Sequence, residues 1–234
     1  MQQHPITPEQ HLVAHRGDRA GGIENTLAAF KYAAAAGARF AECDIQFTRD
    51  LVPVVIHDNW LKRLCGQPDV KVMQTDFADL FTVCAPHFEL LTLAGLLHWL
   101  QSQPQLTMFI EIKPATLRRL SAGGAVRRLA AMLPAARLDQ IVLISQSATI
   151  IETCKQQLDC RTGWVAESHR QPGCDIDYIF MPYNRSAAIA FWHERGVKVG
   201  LYTVNEVAPA SELLAQQVDL IETDHYASMA ASLA

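Results

Sequence analysis

The sequence contains no long hydrophobic run and no excess of charge of one sign. Its longest apolar-rich stretch, Leu90 to Leu100, is interrupted by Thr92 and His98. That stretch is shorter than the about 20 apolar residues that a membrane-spanning helix needs. Lys and Arg number 20 against 24 Asp and Glu, a net charge of -4, whereas nucleic-acid-binding domains normally carry a basic excess. We therefore expect no membrane insertion and no nucleic-acid partner.

Signals for secretion and for cysteine-based metal binding are also missing. The segment from Met1 to Pro5 has neither a basic region nor an apolar core, so no secretory signal is predicted and we expect a cytoplasmic protein. The six cysteines form no CxxC pair, which argues against a zinc knuckle. In a reducing compartment these cysteines are expected to be free thiols.

The absence of a nucleotide-binding signature bears on the fold. The glycine-rich segment from Gly17 to Gly22 matches neither GxGxxG nor a P-loop. Short apolar runs alternate with longer periodic stretches, which indicates about eight strands, each followed by a helix. In 234 residues this alternation predicts an α/β protein, a (β/α)8 TIM barrel that forms a single domain over residues 1–234. A doubly wound open sheet is the alternative, and periodicity alone does not separate the two.

Two stretches are predicted to interrupt or extend the regular alternation. Residues 59–90 are the least regular, broken by Gly66 and Pro68, and we interpret them as a small insertion after the second strand. Further along, Leu117 to Leu133 is predicted to be one helix that ends at Pro134.

Carboxylates interrupt the predicted strands near their carboxyl ends, where barrel enzymes place their chemistry. Glu42 and Asp44 are two residues apart, so they share the inner face of one strand, while Cys43 and Ile45 face the helices. Two carboxylates on one inner face repel each other and are costly to bury, and a divalent cation would remove both costs. The alternative is one carboxylate paired with an arginine and the other at a solvated rim.

The same pattern returns in a later strand. Glu111 and Lys113 share one face of the predicted strand Thr107 to Lys113. A plain ion pair along the strand is the alternative interpretation for these two residues, and exposed pairs of that kind are weak. Next to Glu42 and Asp44, however, Glu111 would be the third carboxylate of one inner rim.

Two histidines also stand at strand ends. His15 is followed by Arg16 and Gly17, and His57 is followed by Asp58, which either orients His57 or caps the turn. Imidazole groups suit proton transfer near neutral pH. Oxygen ligands favour Mg²⁺ or Ca²⁺, and an arginine with a lysine suits a phosphate group. The residues together predict metal-assisted cleavage of a phosphate ester.

In order and spacing, these residues resemble the glycerophosphodiester phosphodiesterase family. The family pattern has a strand ending in His-Arg-Gly, a helix start, an acidic strand, a segment ending in His-Asp and a Glu-x-Lys pair. The matching segments are His15-Arg16-Gly17, Ile23-Glu24-Asn25-Thr26, Glu42 to Asp50, Pro53 to Asp58, Arg63, Glu111-Ile112-Lys113, Thr203-Val204-Asn205 and Ile221-Glu222-Thr223-Asp224. The match covers nearly the whole chain.

The resemblance implies a (β/α)8 barrel that hydrolyses glycerophosphodiesters, such as glycerophosphocholine or glycerophosphoethanolamine, to sn-glycerol 3-phosphate and an alcohol. It implies one divalent cation, Mg²⁺ or Ca²⁺, and a small-molecule substrate. Carried over by position, the implied metal ligands are Glu42, Asp44 and Glu111. The implied catalytic residues are His15, His57 and Lys113, and the implied substrate-binding residues are Arg16, Glu24, Asn25 and Tyr202.

Three positions depart from the family pattern. Ile23 replaces the usual proline at a helix start, Tyr202 stands where a tryptophan is common, and His225 stands where a proline often follows. The Tyr202 change bears on the wall of the substrate site, although an aromatic side chain is kept. None of the implied catalytic or metal-binding residues is substituted.

Other functions are compatible with parts of this residue set. A lysophospholipase D-type phosphodiesterase would use the same site on a longer substrate. A metal-dependent sugar isomerase also uses carboxylates, histidines and a lysine on a barrel, but the phosphate grip of Arg16 argues against it. A barrel that binds phosphodiesters without cleaving them would need a missing ligand or histidine, and none is missing. The alcohol, the choice of ion, the nucleophile, the division of acid and base roles and the oligomeric state stay open at this point.

Overall fold

Strands and helices alternate through the described part of the chain, which comprises residues 7–167 and 170–234 of a computed structural model. The strands in these ranges are β1 (Leu12–His15), β2 (Phe40–Phe47), β3 (Pro53–Val55), β4 (Thr107–Ile112), β5 (Ile141–Ser145), β6 (Arg161–Val165), β7 (Tyr178–Pro182), β8 (Lys198–Tyr202) and β9 (Leu220–Thr223). The helices are α1 (Leu27–Ala35), α2 (Lys62–Cys65), α3 (Phe77–Cys84), α4 (Leu93–Leu100), α5 (Ala122–Ala130), α6 (Ala148–Gln157), α7 (Ile189–His193), α8 (Val207–Ala215) and α9 (Tyr226–Leu233).

Eight of these strands close into a parallel barrel. The order is β1-β2-β4-β5-β6-β7-β8-β9, and β9 pairs with β1. Val13 of β1 lies opposite Phe40 of β2 on one side and opposite Glu222 of β9 on the other. This closure confirms the predicted (β/α)8 barrel and excludes the open sheet. β3 lies outside the barrel, because it pairs antiparallel to β2.

The barrel has one apolar layer inside and another between strands and helices. Because successive side chains of a strand point to opposite faces, each strand contributes to both layers. Cys43 and Ile45 of β2 belong to the outer layer, as predicted, so Glu42 and Asp44 point into the barrel. The inner layer is formed by Val13, Phe109, Val142, Ile144, Val165, Tyr178, Phe180 and Leu220.

Aromatic rings pack the floor of the barrel below its carboxyl ends. Phe109 meets Phe180 and Tyr178 edge to face, with ring centroids 4.9 Å and 5.1 Å apart. Gly200 makes room for this packing, since a Cβ there would lie 2.4 Å from two carbons of the Phe180 ring. The floor therefore depends on a residue without a side chain on the neighbouring strand.

The chain from β3 to the start of α4, which includes α2 and α3, has an apolar core of its own. The buried side chains of this core come from Val54, Ile56, Leu61, Cys65, Val72, Leu80, Cys84 and Leu90. We call this group the satellite core.

The single helix predicted from Leu117 to Leu133 is wrong. Residues Pro114–Arg118 form a 3-10 helix, and α5 begins only at Ala122. The Ser121 hydroxyl accepts a hydrogen bond from the Gly124 N–H at 3.1 Å, so Ser121 caps a new helix.

None of the helices in the described ranges combines the length and the apolar content that crossing a membrane requires.

We expect Gly200→Ala to lower the free energy of unfolding by roughly 1–3 kcal/mol, because the added methyl group would collide with the Phe180 ring. Phe180→Leu removes the colliding ring atoms. The double variant should therefore lose less stability than the sum of the two single variants. Urea denaturation followed by circular dichroism measures all three, and strictly additive losses would contradict the proposed collision.

Candidate active site

Polar side chains from neighbouring strands meet at the carboxyl end of the barrel. His15 of β1 lies opposite Glu42 of β2, and Asp44 of β2 lies opposite Glu111 of β4. Lys113 directly follows β4. The predicted inner rim is therefore formed by residues that the strand register brings side by side.

Glu42, Asp44 and Glu111 form a buried carboxylate cluster. Each offers one oxygen that lies within 4.8 Å of the others. Burial raises the pKa of Glu42, and the charge of Asp44 raises it further. Burial also raises the pKa of Glu111 to about 7. For Asp44, burial acts upward, but the charges of Lys113 and Arg16 outweigh it and hold the pKa below its ordinary value.

The carboxylate cluster fits a divalent cation. Its donor atoms are all carboxylate oxygens, the set that Mg²⁺ and Ca²⁺ prefer. Glu111 Oε1 is buried and pairs with Lys113 Nζ at 3.1 Å. A cation among the three carboxylates would reduce the repulsion that raises the pKa of Glu42 and Glu111.

Two cations lie against the carboxylate cluster. Arg16 Nε is 3.0 Å from Asp44 Oδ2, and Lys113 Nζ is 3.2 Å from Asp44 Oδ1. The Arg16 backbone has a φ of 58°, a conformation that non-glycine residues rarely adopt. Its N–H donates to the Glu42 carbonyl at 3.0 Å, and its carbonyl accepts from the Asn25 N–H at 2.9 Å. These bonds hold Arg16 in a strained conformation of the kind found at functional sites.

His15 is held by a carboxylate from the last strand end. Its Nδ1 lies 2.9 Å from Asp224 Oδ1. Asp224 also accepts a hydrogen bond from Asn205 Nδ2 at 2.8 Å. Burial alone would raise the pKa of Asp224, but the bonds from His15 and Asn205 lower it to about 2. An ionised Asp224 orients the imidazole and leaves Nε2 as the ring nitrogen available for proton transfer.

His57 is held in the same way by its neighbour in sequence. Its Nδ1 lies 2.8 Å from Asp58 Oδ1, and Arg63 Nε donates to Asp58 Oδ2 at 2.7 Å. Of the two interpretations of Asp58, the structure therefore supports the orienting one. Burial lowers the pKa of His57, and the positive charges of Lys113 and Arg16 add to this effect. His57 is accordingly neutral near pH 7.

Glu24 and Asn25 lie one layer behind these groups. Glu24 accepts from Arg16 Nη1 at 3.0 Å and from Arg63 Nη1 at 2.8 Å. Asn25 Nδ2 donates to Asp44 Oδ2 at 3.0 Å. Both side chains thus position Arg16 and Asp44, and neither lines the cavity beside them. Their role as substrate contacts stays a prediction.

A cavity of about 240 Å³ opens above the barrel floor, and we call it the inner cavity. Seven of the residues singled out from the sequence line it, as do seven others. The first group is His15, Arg16, Glu42, His57, Glu111, Lys113 and Tyr202, and the second is Ile144, Gln146, Val165, Glu167, Phe180, Thr203 and Glu222. The Tyr202 hydroxyl donates to Glu167 Oε1 at 3.2 Å, which fixes Tyr202 as part of the wall.

A larger cleft adjoins the inner cavity, and we call it the outer cleft. It measures about 980 Å³ and shares His57, Lys113, Gln146 and Glu167 with the inner cavity. Its remaining lining comes from the beginning of the 59–90 segment and the residue before it: Asp58, Asn59, Trp60, Lys62, Arg63 and Pro68. Most of these residues carry charged or polar groups, although the lining exposes more apolar than polar surface, and Trp60 is its one large apolar residue.

Several residues that the structure places at the site have no role predicted from the sequence. Glu222, Asp224 and Asn205 were visible as strand-end residues, and Arg63 as a match to the family pattern, but their partners were not. Glu222 carried the same signal as Glu42, a charged residue inside an apolar strand. Glu167 had no such signal, because only the barrel closure brings its loop to the site.

The raised pKa values predict how stability depends on pH without metal. Glu42 and Glu111 keep protons in the folded chain that the unfolded chain releases near the ordinary value of 4.5. The free energy of unfolding should therefore contain a contribution that is lost as pH rises from about 4.5 through about 7. Urea denaturation in the presence of a chelator between pH 5 and pH 8 measures this loss of stability. Glu111→Gln should lose less stability over the same range, because it lacks one of the two titrating groups. Mg²⁺ or Ca²⁺ should restore stability at pH 8. Identical pH dependence in the wild type and Glu111→Gln would contradict a raised pKa at Glu111.

Short stretches of known proteins match the chain closely. Glycerophosphodiester phosphodiesterase 1 of Rattus norvegicus is 53% identical over 51 residues, which is 22% of this chain and 15% of that protein. A glycerophosphodiester phosphodiesterase of Caldanaerobacter subterraneus is 50% identical over 52 residues, 22% of this chain and 21% of that protein. A human lysophospholipase D is 43% identical over 54 residues, 23% of this chain and 17% of that protein. The chain thus matches about a fifth or less of the length of these curated relatives.

Solved structures share the fold over nearly the full length. A phosphodiesterase of Oleispira antarctica, in complex with the product sn-glycerol-3-phosphate, has a TM-score of 0.82 at 20% identity and covers 95% of this chain and 96% of its own. A glycerophosphodiester phosphodiesterase of Parabacteroides distasonis has a TM-score of 0.79 at 20% identity, with coverage of 95% and 96%. The sequence pattern of the glycerophosphoryl diester phosphodiesterase family matches residues 15–228. This chain therefore belongs to the glycerophosphoryl diester phosphodiesterase family.

Proposed function

We propose that this protein is a metal-dependent glycerophosphodiester phosphodiesterase that releases sn-glycerol 3-phosphate and an alcohol. One observation carries the proposal: His15 and His57 line the same cavity, and each is oriented through Nδ1 by a carboxylate. The carboxylate cluster and two cations stand beside them. Two oriented imidazoles, a cation site and a phosphate clamp can together catalyse the hydrolysis of a phosphodiester.

The carboxylates Glu42, Asp44 and Glu111 would hold one divalent cation, Mg²⁺ or Ca²⁺, as their shared position and oxygen-only chemistry support. Such a cation supplies Lewis-acid polarisation of a phosphate oxygen when it is bound. Asn25 keeps Asp44 in place through its 3.0 Å hydrogen bond. The ligands are thus positioned by strand register and by one supporting amide.

Arg16 and Lys113 would bind the phosphate oxygens of the substrate. A guanidinium can donate to two oxygens, and an ammonium acts as a point charge. Burial acts to lower the pKa of Lys113, but Asp44 and Glu111 outweigh it and keep the pKa above its ordinary value. Lys113 is therefore protonated at neutral pH and offsets charge that develops on the phosphate.

The two histidines would divide the proton transfers. One imidazole removes a proton from the nucleophile, and the other protonates the leaving alkoxide. The nucleophile is either the 2-hydroxyl of the glycerol unit, which would give a cyclic phosphate, or a water molecule. Trapping the first product at short times separates these two routes. Tyr202, beside Glu167 in the cavity wall, would contact the glycerol side of the substrate, and Glu24 would keep Arg16 aimed at the phosphate.

Similar proteins support the same substrate class. The Oleispira antarctica neighbour holds sn-glycerol-3-phosphate as a product, and two of the relatives are glycerophosphodiester phosphodiesterases. We further propose that the chain acts as one barrel domain in which residues 59–90 are an insertion that shapes the outer cleft.

An assay for glycerol 3-phosphate tests the proposed function. The purified protein is treated with chelator and given glycerophosphocholine, and Mg²⁺, Ca²⁺ or Mn²⁺ is then restored singly. We expect release of sn-glycerol 3-phosphate only when a metal is present. Lysophosphatidylcholine as a second substrate tests the lysophospholipase D alternative. Binding of glycerophosphocholine without release under any condition would instead favour a non-catalytic barrel.

Replacing either histidine should reduce turnover strongly. We expect His15→Ala and His57→Ala each to lower kcat by roughly 10²–10⁴-fold, the usual contribution of general acid–base catalysis. The variants Asp224→Asn and Asp58→Asn keep the imidazole and remove its orienting charge, so their losses should be smaller. His193→Ala is the matched control, because His193 pairs with Asp219 outside the site. Near-normal turnover of His57→Ala would remove His57 from the mechanism.

A further inference from the structure

Glu222 is a fourth buried carboxylate at the mouth of the barrel, and the mechanism above does not use it. Its side chain lines the inner cavity and is only 4% exposed. No hydrogen-bond donor among the described residues reaches its carboxylate oxygens. Burying a carboxylate without a donor is costly. A ligand that brings a hydroxyl donor into the cavity would remove this cost.

Glu222 is outside the group of converging oxygens that forms the carboxylate cluster, although burial raises the pKa of Glu42 and of Glu111 and the charge of Glu222 raises it further. Among the described residues, the group whose oxygens converge as metal ligands is Glu42, Asp44 and Glu111. In the strand register Glu222 lies opposite Val13, two residues before His15 on β1. Glu222 is therefore one pleat deeper in the barrel than His15. Arg16, at the end of the same strand, lies on the outer side of both.

The inner end of the cavity offers little else to a polar ligand. Ile144, Val165 and Phe180 line it together with Glu222, and these side chains provide apolar contact without competing hydrogen bonds. Below them, Phe109 and Tyr178 close the floor. A short polyol fits this environment, since its carbons can contact the apolar wall while a hydroxyl donates to the carboxylate.

The depth of Glu222 in the barrel indicates which hydroxyl of a glycerol unit would reach it. If Arg16 and Lys113 hold the phosphate at the rim, the carbon chain of the glycerol unit points inward from it. The atom that reaches deepest is the hydroxyl farthest from the phosphate, the terminal one. A buried carboxyl group that this hydroxyl alone can reach is left without a partner by a ligand that lacks the hydroxyl, so this contact would contribute to selectivity.

On the basis of the proposed function, we propose that Glu222 accepts a hydrogen bond from the terminal glycerol hydroxyl and so restricts the substrate to diesters without an acyl chain. An acylated terminal oxygen has no hydrogen to donate, so Glu222 would stay without a partner. The acyl chain would also have to pass the closed floor. Glu222 is thus a specificity-determining residue against lysophospholipids.

Two matched substrates test this role. Glycerophosphocholine has both hydroxyls, whereas 2-hydroxypropyl phosphocholine lacks only the terminal one and keeps the 2-hydroxyl as a possible nucleophile. We expect the wild type to prefer glycerophosphocholine by about 10- to 100-fold in kcat/KM, the usual cost of leaving a buried polar group without its hydrogen-bond partner. Lysophosphatidylcholine should be a poorer substrate than glycerophosphocholine by at least a similar factor.

Variants assign the preference to Glu222. In Glu222→Leu, which removes the acceptor, the preference should fall to within about 2-fold, and in Glu222→Gln, which keeps one acceptor oxygen, it should be intermediate. Asp177→Asn is the control, because Asp177 pairs with Lys155 and does not line the inner cavity, so this variant should retain the preference. Thermal melting checks that each variant is folded.

The outcomes separate this inference from the proposed function. Calorimetric binding of sn-glycerol 3-phosphate and of 2-hydroxypropyl phosphate gives a second comparison that needs no turnover, and the same loss of preference is expected in Glu222→Leu. If neither diester is hydrolysed, the proposed function is overturned, while the binding pair still tests Glu222. A wild type without preference, or a folded Glu222→Leu with undiminished preference, would overturn the role of Glu222.

Discussion

Repulsion among buried carboxylates is the constraint on which the mouth of the barrel depends. Glu42, Asp44 and Glu111 cannot move apart, because adjacent strands in fixed register carry them. Arg16 and Lys113 offset part of the cost of burying these like charges, and a cation, for which the oxygens are suited, would offset more of it. The same carboxylates that suit a metal ion therefore destabilise the fold when no ion is bound.

Two further carboxylates orient the histidine side chains beside the carboxylate cluster. Asp224 and Asp58 each take one imidazole nitrogen and leave the other for chemistry. Arg63 bridges Glu24 and Asp58, and so connects the residue that holds Arg16 to the residue that holds His57. The residues proposed for phosphate binding and those proposed for proton transfer thereby share one network of ion pairs, in which the position of each group constrains the other.

Much of this arrangement was readable from the sequence, because the signals were local. A strand period of two residues placed Glu42 and Asp44 on the inner face, and the alternation of strands and helices predicted the barrel. Long-range partners were not readable: Asp224 meets His15 only because the last strand returns to the first. The helix predicted from Leu117 to Leu133 was wrong for a local reason, since apolar periodicity continued across the cap at Ser121.

The satellite core has a consequence for how such a protein can diversify. Its side chains, from Val54 to Leu90, pack apart from the two apolar layers of the barrel. The segment that they support presents Trp60, Lys62 and Pro68 to the outer cleft. Substitutions within this segment can change the shape of the outer cleft while the strand register keeps the residues of the inner cavity in place. If the outer cleft holds the alcohol, the substrate preference of such a protein can change without a change in its reacting groups.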